Sequence, residues 1–293
     1  MEWISKDRIL IVGLGLMGGS YARALKRLGY HVSAIDTSRK SIDFALENGL
    51  IDRGYTGPDP SAIGEADAVI FALYPGIFRR WLTENQHLLK SGALLTDVTG
   101  VKSCIVYDIQ DLLRDDVEFI AAHPMAGREV YGVENSDDGI FRDANYIVTP
   151  TAKNTPEAID WCQSLGRILG FRKISVLSPE EHDEMIGFLS QMTHCIAIAL
   201  MTCNDNQHLV DYTGDSFRDL TRIARINEVM WSELFLLNKD ALLRQMDQFA
   251  AEFAVLRDLL DREDRDGLME KMRLSTQRRA YFDKQPARGG KGQ

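Results

Sequence analysis

The chain has 293 residues, enough for one large domain or two medium-sized ones. Hydrophobic residues make up 45% of it and charged residues 26%, a composition typical of a folded globular protein. The formal net charge of −9 argues against nucleic acid as a partner, because phosphate binding needs a basic surface. A small anionic substrate is not excluded, since a local cluster of arginines can outweigh the global charge.

Membrane and metal partners are not expected. No apolar run approaches the roughly 18 residues needed to span a bilayer, and the first residues lack the basic and apolar regions of a signal peptide. The four cysteines are scattered without a CxxC pair, at Cys104, Cys162, Cys195 and Cys203. This spacing favours reduced thiols in the cytoplasm over a disulfide framework or a zinc site.

Short apolar runs alternate with helical patterns in the first part of the chain. Predicted helices include Gly18–Leu28 and Pro156–Leu169. Because parallel strands need crossover connections, the alternation predicts an α/β fold with a mostly parallel sheet covered on both faces. The predicted strands are Ile9–Gly13, His31–Asp36, Ala68–Leu73, Ala93–Val98, Phe119–Ala122, Tyr146–Thr149 and Lys173–Leu177.

The pattern changes to helices alone after Ser178-Pro179, a good helix start with proline at the first helical position. We therefore predict a dinucleotide-binding (Rossmann-type) domain over residues 1–177 and an all-helical domain over 178–285. The tail 286–293 is predicted to be disordered. The predicted helices are Glu180–Thr202, Ser216–Ala224, Glu228–Leu237, Asp240–Leu260 and a last segment to about Phe282.

A glycine-rich loop follows the first predicted strand. Gly13, Gly15 and Gly18 match GxGxxG, with Leu16 and Met17 between the last two. Glycines permit the tight turn, let the backbone approach a pyrophosphate and allow close helix packing, while the helix N-terminus offers free N–H groups to the anion. The motif is weak evidence when it stands alone, but here its strand-helix context supports cofactor binding.

An acid follows at the position expected for ribose binding. Asp36 ends the second predicted strand, 18 residues after Gly18. An acid there accepts hydrogen bonds from the 2′-hydroxyl and repels a 2′-phosphate, which predicts NAD rather than NADP. Arg39 and Lys40 follow and could weaken that preference. The alternative is that Asp36 caps the next helix.

Three further features are candidates for substrate chemistry. His123 follows a buried strand, where it could accept a proton from an alcohol as hydride leaves the same carbon. Asp183 and His194 are 11 residues apart, almost three turns of one helix, so both should project from one face. Each histidine could instead be structural.

An arginine pattern is the third feature. Arg218, Arg222 and Arg225 follow i, i+4, i+7 spacing, and Asp219 lies three residues before Arg222. A solvated basic face is the ordinary interpretation. An arginine held by an aspartate could instead grip a carboxylate with two hydrogen bonds.

Several of these segments together resemble the prephenate dehydrogenase family. The resemblance runs from about residue 8 to 282, and its most specific parts are the HPMAG and LTRIA segments. The matching segments are GLGLMGGS (13–20), DVTGVK (97–102), HPMAGRE (123–129), SPEEHD (178–183) and LTRIAR (220–225).

The resemblance implies roles for individual residues. His123 matches a catalytic histidine that accepts the proton of the ring C4 hydroxyl while hydride passes to NAD, and Arg222 matches an arginine that binds a substrate carboxylate. His194 matches a histidine near the substrate's side chain. The remaining implied positions are Thr99 at the cofactor, Asp183 and Asp219 as supporting groups, Trp231 as an apolar wall and Glu129 as an ordering group for the loop after His123.

The chain also departs from the family pattern. Gly100 stands where many relatives carry a serine that assists at the C4 hydroxyl; Thr99 or a water could substitute for it. Gln191 stands where relatives often carry another histidine. No regulatory C-terminal domain of the kind that some relatives append is expected, and with it no feedback by tyrosine through such a domain.

These residues also indicate which substrate is expected and which other functions are disfavoured. A neutral or protonated His194 could donate to the ketone of prephenate, whereas a protonated one would repel the ammonium of arogenate, so prephenate is the predicted substrate and arogenate the alternative. A β-hydroxyacid dehydrogenase would typically use a lysine in an interdomain helix, and no lysine occurs from Glu180 to Leu237. An inert NAD sensor would not need His123, His194 and Arg222 together.

One predicted helix carries an apolar stripe with 4-3-4-3-4 spacing. The stripe could pack within the chain's own helical bundle or form a dimer interface. Because so small a helical domain has a limited core of its own, a homodimer is predicted. The stripe consists of Leu242, Met246, Phe249, Phe253, Leu256 and Leu260.

Overall fold

The computed structural model describes residues 8–128 and 130–283. Two predictions concern residues outside these ranges: the ordering role of Glu129 and the disorder of the tail 286–293.

The first sheet has six strands, all parallel, in the order β3-β2-β1-β4-β5-β6. This is the strand order of the doubly wound dinucleotide-binding fold, in which a ligand binds where the order reverses, here between β1 and β4. The predicted Rossmann-type fold is therefore confirmed. The strands are β1 (Ile9–Val12), β2 (Val32–Ile35), β3 (Arg53–Tyr55), β4 (Ala68–Phe71), β5 (Leu94–Asp97) and β6 (Glu118–Phe119), joined by α1 (Leu16–Arg27), α2 (Arg39–Glu47), α3 (Pro60–Glu65), α4 (Pro75–Asn85) and α5 (Ser103–Leu112).

A second sheet of three strands follows: β7 (Ala121–Pro124), β8 (Asn145–Thr149) and β9 (Lys173–Val176), with α6 (Pro156–Leu169) between the last two. β7 is antiparallel to β8, which is parallel to β9. The prediction of one strand over Phe119–Ala122 was wrong, because the chain leaves the first sheet after Phe119 and enters the second at Ala121. The residue between them, Ile120, is also fully buried, so the apolar run gives no sign of the change.

The first sheet buries both of its faces, as predicted for a parallel sheet. Along β1, Ile9 and Ile11 pack in a cluster with α1 and α6, whereas Leu10 and Val12 pack in another with α4 and α5. β3 was not predicted from the sequence. It is a short edge strand, Arg53–Tyr55, with no fully buried residue.

One long helical segment follows the second sheet: α7 (Pro179–Ile186), a π-helical turn Gly187–Met192 and α8 (Thr193–Thr202). Ser178 and Glu181 form a capping box at its start, with Pro179 at the first helical position. After it come α9 (Asp215–Thr221), a 3₁₀ turn Arg222–Ala224 and α10 (Glu228–Leu237). Further 3₁₀ turns are Gln86–Leu88, Val133–Asn135, Asp138–Phe141 and Gln207–Tyr212.

The segment Pro179–Thr202 is long and apolar enough to cross a membrane by length and composition alone, so the expectation that no apolar run approaches this length was wrong. Core helices of globular proteins pass the same test, so one such helix is weak evidence for a membrane span. Here Asp183 and Gln191 are buried and hydrogen-bonded to other elements of the fold. A packed helix explains these contacts.

The last described elements are α11 (Lys239–Asp261), α12 (Arg265–Arg279) and a 3₁₀ turn Ala280–Phe282. The chain forms two compact units that divide between Leu242 and Leu243. The first unit contains both sheets and the helices α7 to α10. Leu234 of α10 packs in the same hydrophobic cluster as α4 and α5. The domain boundary predicted at residue 177 stays a prediction.

Candidate active site

The glycine loop after β1 requires glycine at two of its three motif positions. Gly13 has a φ of +100°, and a Cβ there would lie 2.4 Å from the carbonyl oxygen of Ala72. A Cβ on Gly18 would lie 1.9 Å from the carbonyl oxygen of Gly13. Gly15 has open space instead. The loop therefore packs closely against the end of β4 while its outer side remains accessible.

The open side of the loop is where α1 begins. Leu16 and Met17 are the first two residues of α1, whose early N–H groups have no partner within the helix. The first turn of the helix carries no acidic residue. The site therefore suits a pyrophosphate, because free N–H groups and the helix dipole both favour an anion.

Asp36 holds the glycine loop in place. Its Oδ2 accepts the N–H of Leu14 at 2.6 Å, and its Oδ1 accepts the N–H of Ser38 at 2.7 Å. The α2 helix is capped by Ser38, whose hydroxyl oxygen accepts the N–H of Ser41 at 3.2 Å. The alternative that Asp36 caps this helix was therefore wrong. A carboxylate has about four acceptor positions, so two remain for ribose hydroxyls.

A fully buried ion pair lies at the end of β5. Lys102 Nζ is 2.7 Å from Asp97 Oδ2, with both side chains at 0% exposure, and it also donates to the carbonyl of Ala122 at 2.6 Å. Burial lowers the pKa of Lys102, and the charge of Asp97 opposes this shift. The Thr99 hydroxyl donates to Asp97 and lies 3.2 Å from Lys102 Nζ. Its side chain thus belongs to this network, and cofactor binding by Thr99 stays a prediction.

His123 is connected to a second histidine and then to an aspartate. His123 lies in β7 and its Nδ1 is 2.9 Å from Nε2 of His182. Nδ1 of His182 is in turn 2.8 Å from Oδ1 of Asp183. Asp183 also accepts the N–H of Lys102 and that of Ser103, each at 2.8 Å, at the start of α5. The first unit therefore brings β7, α5 and α7 together at this point.

The environment keeps both imidazoles neutral at neutral pH. Burial lowers the pKa of His123 well below its usual value, and the neighbouring His182 and the Lys102 cation lower it further, because both disfavour a second positive charge there. Burial also lowers the pKa of His182, although the hydrogen bond to Asp183 acts in the opposite direction. Burial alone would raise the pKa of Asp183, but its contacts with His182 and Ser103 together outweigh this, so the net shift is downward and the carboxylate stays charged.

Gly100 leaves space beside the other nitrogen of His123. A Cβ on Gly100 would lie 3.8 Å from Nε2 of His123 and 3.7 Å from Cδ1 of Leu234, which are ordinary contact distances. A small side chain would fit there. Gly100 therefore lies within contact distance of this nitrogen, next to α10, and His123 is only half-buried.

His194 lies at a different place on the long helical segment. Its ring packs on the indole of Trp231, with centroids 3.7 Å apart and planes inclined by 31°. Its Nδ1 is 2.9 Å from the carbonyl oxygen of Ser190. A carbonyl can only accept, so Nδ1 carries the proton, and in a neutral ring Nε2 is then an acceptor. Trp231 was expected to form an apolar wall beside the substrate. In the structure its indole packs on the ring of His194.

The expectation that Asp183 and His194 share one face was wrong. The π-helical turn Gly187–Met192 lies between them, and each of its residues turns through a smaller angle than in an α-helix. Asp183 consequently points to the start of α5 while His194 points to Trp231. Within the turn, Gln191 donates to the carbonyl of Leu234 at 3.0 Å and accepts from Asn238 at 2.7 Å.

The arginine pattern is broken in the structure. Arg218 is in α9 and pairs with Asp215 at 3.2 Å, Arg222 begins the 3₁₀ turn, and Arg225 follows that turn in an extended conformation. The predicted single stripe was wrong, because the helix ends at Thr221. The turn that starts with Arg222 packs against α8, the helix of His194. Asp219 is exposed in α9, and its supporting role stays a prediction.

Sequence reasoning missed His182, Lys102 and Asn238. Lys102 and His182 stood inside the recognised segments, but nothing in the spacing showed that they contact Asp97 and His123. The available signal was a histidine that directly follows two acidic residues at a helix start. Asn238 donates to the carbonyl of Asp183 at 2.9 Å and ends α10.

Comparison with known proteins gives one consistent family. A model described as "Prephenate dehydrogenase, nucleotide-binding domain" matches residues 21–174, and one described as "Prephenate dehydrogenase, dimerization domain" matches residues 178–274. The chain is 32% identical to prephenate dehydrogenase of Bacillus subtilis over 271 residues, covering 90% of this chain and 72% of the relative. It is 30% identical to cyclohexadienyl dehydrogenase of Zymomonas mobilis, covering 92% and 94%.

Solved structures agree with these relatives. Prephenate dehydrogenase from A. aeolicus, in complex with hydroxyphenyl propionate and NAD+, superposes with a TM-score of 0.87 at 30% identity. The match covers 96% of this chain and 99% of that one.

Proposed function

Because the chain belongs to the prephenate dehydrogenase family, we propose that it oxidatively decarboxylates prephenate to 4-hydroxyphenylpyruvate with reduction of NAD, as a step in tyrosine biosynthesis. The observation that carries this proposal is the position of His123, half-buried at the carboxyl edge of the sheets with Nε2 beside Gly100, which has no side chain. NAD, when bound, supplies the hydride acceptor. It fits the glycine loop, the start of α1 and the two remaining acceptor positions of Asp36.

In this reaction the protein's own residues position the substrate and accept a proton. Loss of hydride from C4 and of carbon dioxide from C1 aromatises the ring, so the stability of the product provides the driving force. The enzyme must hold the substrate with C4 towards the nicotinamide and accept the hydroxyl proton. We assign the proton to His123 Nε2 and a substrate carboxylate to Arg222, whose turn packs against the helix of His194.

The choice between prephenate and arogenate depends on His194. In the neutral ring the proton is on Nδ1 and donates to Ser190, so Nε2 would accept a hydrogen bond from the ammonium of arogenate. Only the imidazolium would donate to the ketone of prephenate, so the assumption that a neutral His194 could also do so does not hold. Arogenate is therefore a second candidate substrate, favoured when His194 is neutral.

Parallel assays test this assignment. NADH release is measured with prephenate and with arogenate for the native enzyme and for His194→Asn. We expect the variant to shift the ratio of the two kcat/KM values towards prephenate, because the asparagine amide can donate to the ketone as well as accept. An unchanged ratio would remove His194 from recognition of the side chain. Turnover of neither compound would refute the proposed function.

The functional form proposed is a homodimer in the cytoplasm that takes a small-molecule substrate. The four cysteines are all free thiols, in keeping with a reducing compartment. Five members of the predicted stripe on α11 are exposed in the single chain: Met246, Phe249, Phe253, Leu256 and Leu260. Because exposed apolar stripes of this length usually contact a partner, packing within the chain's own bundle does not account for them.

A further inference from the structure

The three side chains His123, His182 and Asp183 make a continuous hydrogen-bonded chain whose proton positions can be deduced. A carboxylate oxygen only accepts, so Nδ1 of His182 carries a proton and donates to Asp183 over 2.8 Å. With both imidazoles neutral, Nε2 of His182 has no proton and must accept. Nδ1 of His123 is therefore the donor across the 2.9 Å contact. Nε2 of His123 is left with a lone pair.

We propose that His182 and Asp183 are positioning residues that fix the tautomer of His123, so that its Nε2 is always the proton acceptor in the reaction. The inference deepens the proposed function and rests on it for the identity of the reaction. Asp183 is itself fixed, because its two oxygens accept the N–H groups of Lys102 and Ser103. The orientation is thus passed from the start of α5 through α7 to β7.

The hydrogen-bonded series His123–His182–Asp183 also stabilises the positive charge that the reaction creates on His123. The O–H bond at C4 of the substrate breaks and an N–H bond forms at Nε2 of His123, while the hydride leaves C4 for bound NAD. The resulting imidazolium keeps its Nδ1 proton on the hydrogen bond to His182, whose far side faces the negative charge of Asp183. This arrangement offsets the burial and the nearby charge of Lys102, which both disfavour a cation on His123. When the bond from C1 to the carboxylate then breaks, its electron pair aromatises the ring, carbon dioxide leaves, and the phenolate oxygen takes the proton back from Nε2.

Two substitutions at His182 separate positioning from simple packing. In His182→Gln the amide oxygen can still accept the proton of His123 Nδ1, so the tautomer should persist, but the amide cannot share the charge. In His182→Phe the acceptor is gone and the ring of His123 is free to place its proton on either nitrogen. His208→Gln is the matched control, because His208 is exposed and lies outside this network.

The first measurement needs neither substrate nor cofactor. Nitrogen-15 chemical shifts of the imidazoles in the free protein should show His123 protonated at Nδ1 and bare at Nε2 in the native protein, in His182→Gln and in His208→Gln. In His182→Phe the signals should show a mixture of tautomers. A native His123 protonated at Nε2, or an unchanged tautomer in His182→Phe, would overturn the proposal.

The second measurement is steady-state turnover, with circular dichroism as a check on folding. We expect kcat to fall by about tenfold in His182→Gln and by about 100-fold or more in His182→Phe, the usual scale for a misplaced proton acceptor, with little change in KM. Equal activity in both variants would contradict the proposal. If the native enzyme turns over neither prephenate nor arogenate, the proposed function fails, while the tautomer measurement still decides this inference.

Discussion

The carboxylate of Asp36 accepts the backbone N–H of Leu14 at 2.6 Å, so the acid that follows β2 holds the glycine loop that follows β1. The residue expected to select the cofactor therefore also stabilises the loop expected to bind it. A substitution at this position should act on both properties.

For Asp36→Asn we expect the preference for NAD over NADP to fall on the order of tenfold, because the charge that repels a 2′-phosphate is removed. The affinity for NAD should also weaken, because one acceptor for the loop is lost. The measurement is kcat/KM with each cofactor. Ser38→Ala is the control: it removes the cap of α2, should cost about 1 kcal/mol of stability and should leave the preference unchanged.

For His123→Asn we expect kcat to fall by roughly 100-fold or more with little change in KM, because the proton acceptor is lost while the binding groups remain. In the native enzyme, the acidic limb of the pH profile of kcat/KM should lie below the usual histidine value, since burial lowers the pKa of His123. A limb at or above that value would be inconsistent with this assignment.

For Arg222→Gln we expect kcat/KM for the substrate to fall by an amount equivalent to about 1.5–3 kcal/mol, the usual worth of hydrogen bonds to a charged group, because Arg222 is exposed in the single chain. Binding of NAD, followed by fluorescence titration, should be unchanged. Arg218→Gln is the matched control, because Arg218 pairs with Asp215 at the surface of α9. An equal loss of NAD affinity in Arg222→Gln would instead identify a structural arginine.

For Gly100→Ser we expect a folded enzyme with its melting temperature and kcat retained, because the added Cβ makes only contacts of 3.7 to 3.8 Å. The hydroxyl would stand beside Nε2 of His123, where it can hydrogen-bond to the substrate's C4 hydroxyl. Gly100→Leu should crowd Leu234 and the ring of His123, and abolish substrate use while NAD still binds. A folded but inactive serine variant would show that the position beside Nε2 must carry no side chain.

For Phe253→Glu we expect the homodimer to dissociate without loss of helix content, because this side chain is 64% exposed within the single chain. Light scattering at micromolar concentration should change from a dimer to a monomer of 33.0 kDa. Arg257→Gln, on the same helix, is the control and should stay dimeric. By contrast Leu259→Ala should lower the melting temperature, since Leu259 is 7% exposed and packs within its own unit. A native protein that is already monomeric would refute the dimer.

The parts of the fold that could be predicted are those with a recognisable pattern in a short stretch of sequence. The buried strands are short apolar runs, and the glycine loop is a fixed spacing of residues that must lack a Cβ. β3 was missed because Arg53-Gly54-Tyr55 is too short and too polar to show a strand pattern. Its place at the edge of the sheet comes from pairing with β2, which no local pattern records.

The site was predictable only in part, for the same reason. His123 and Arg222 could be named from the segments that contain them. The contact between His123 and His182 joins residues 59 positions apart, and it depends on how α7 docks on β7. The relation between Asp183 and His194 failed because periodicity arguments assume an uninterrupted α-helix, and the π-helical turn adds a change of direction that the sequence does not announce.

The single residue Ile120 that joins β6 to β7 has a consequence for the evolution of this chain. Side chains alternate along an extended strand, so inserting or deleting one residue at this junction would turn His123 to the opposite face, away from His182 and Gly100. Length changes here should be eliminated by selection. Insertions and deletions should instead accumulate in exposed stretches such as residues 203–212, where the number of residues does not set the orientation of a strand.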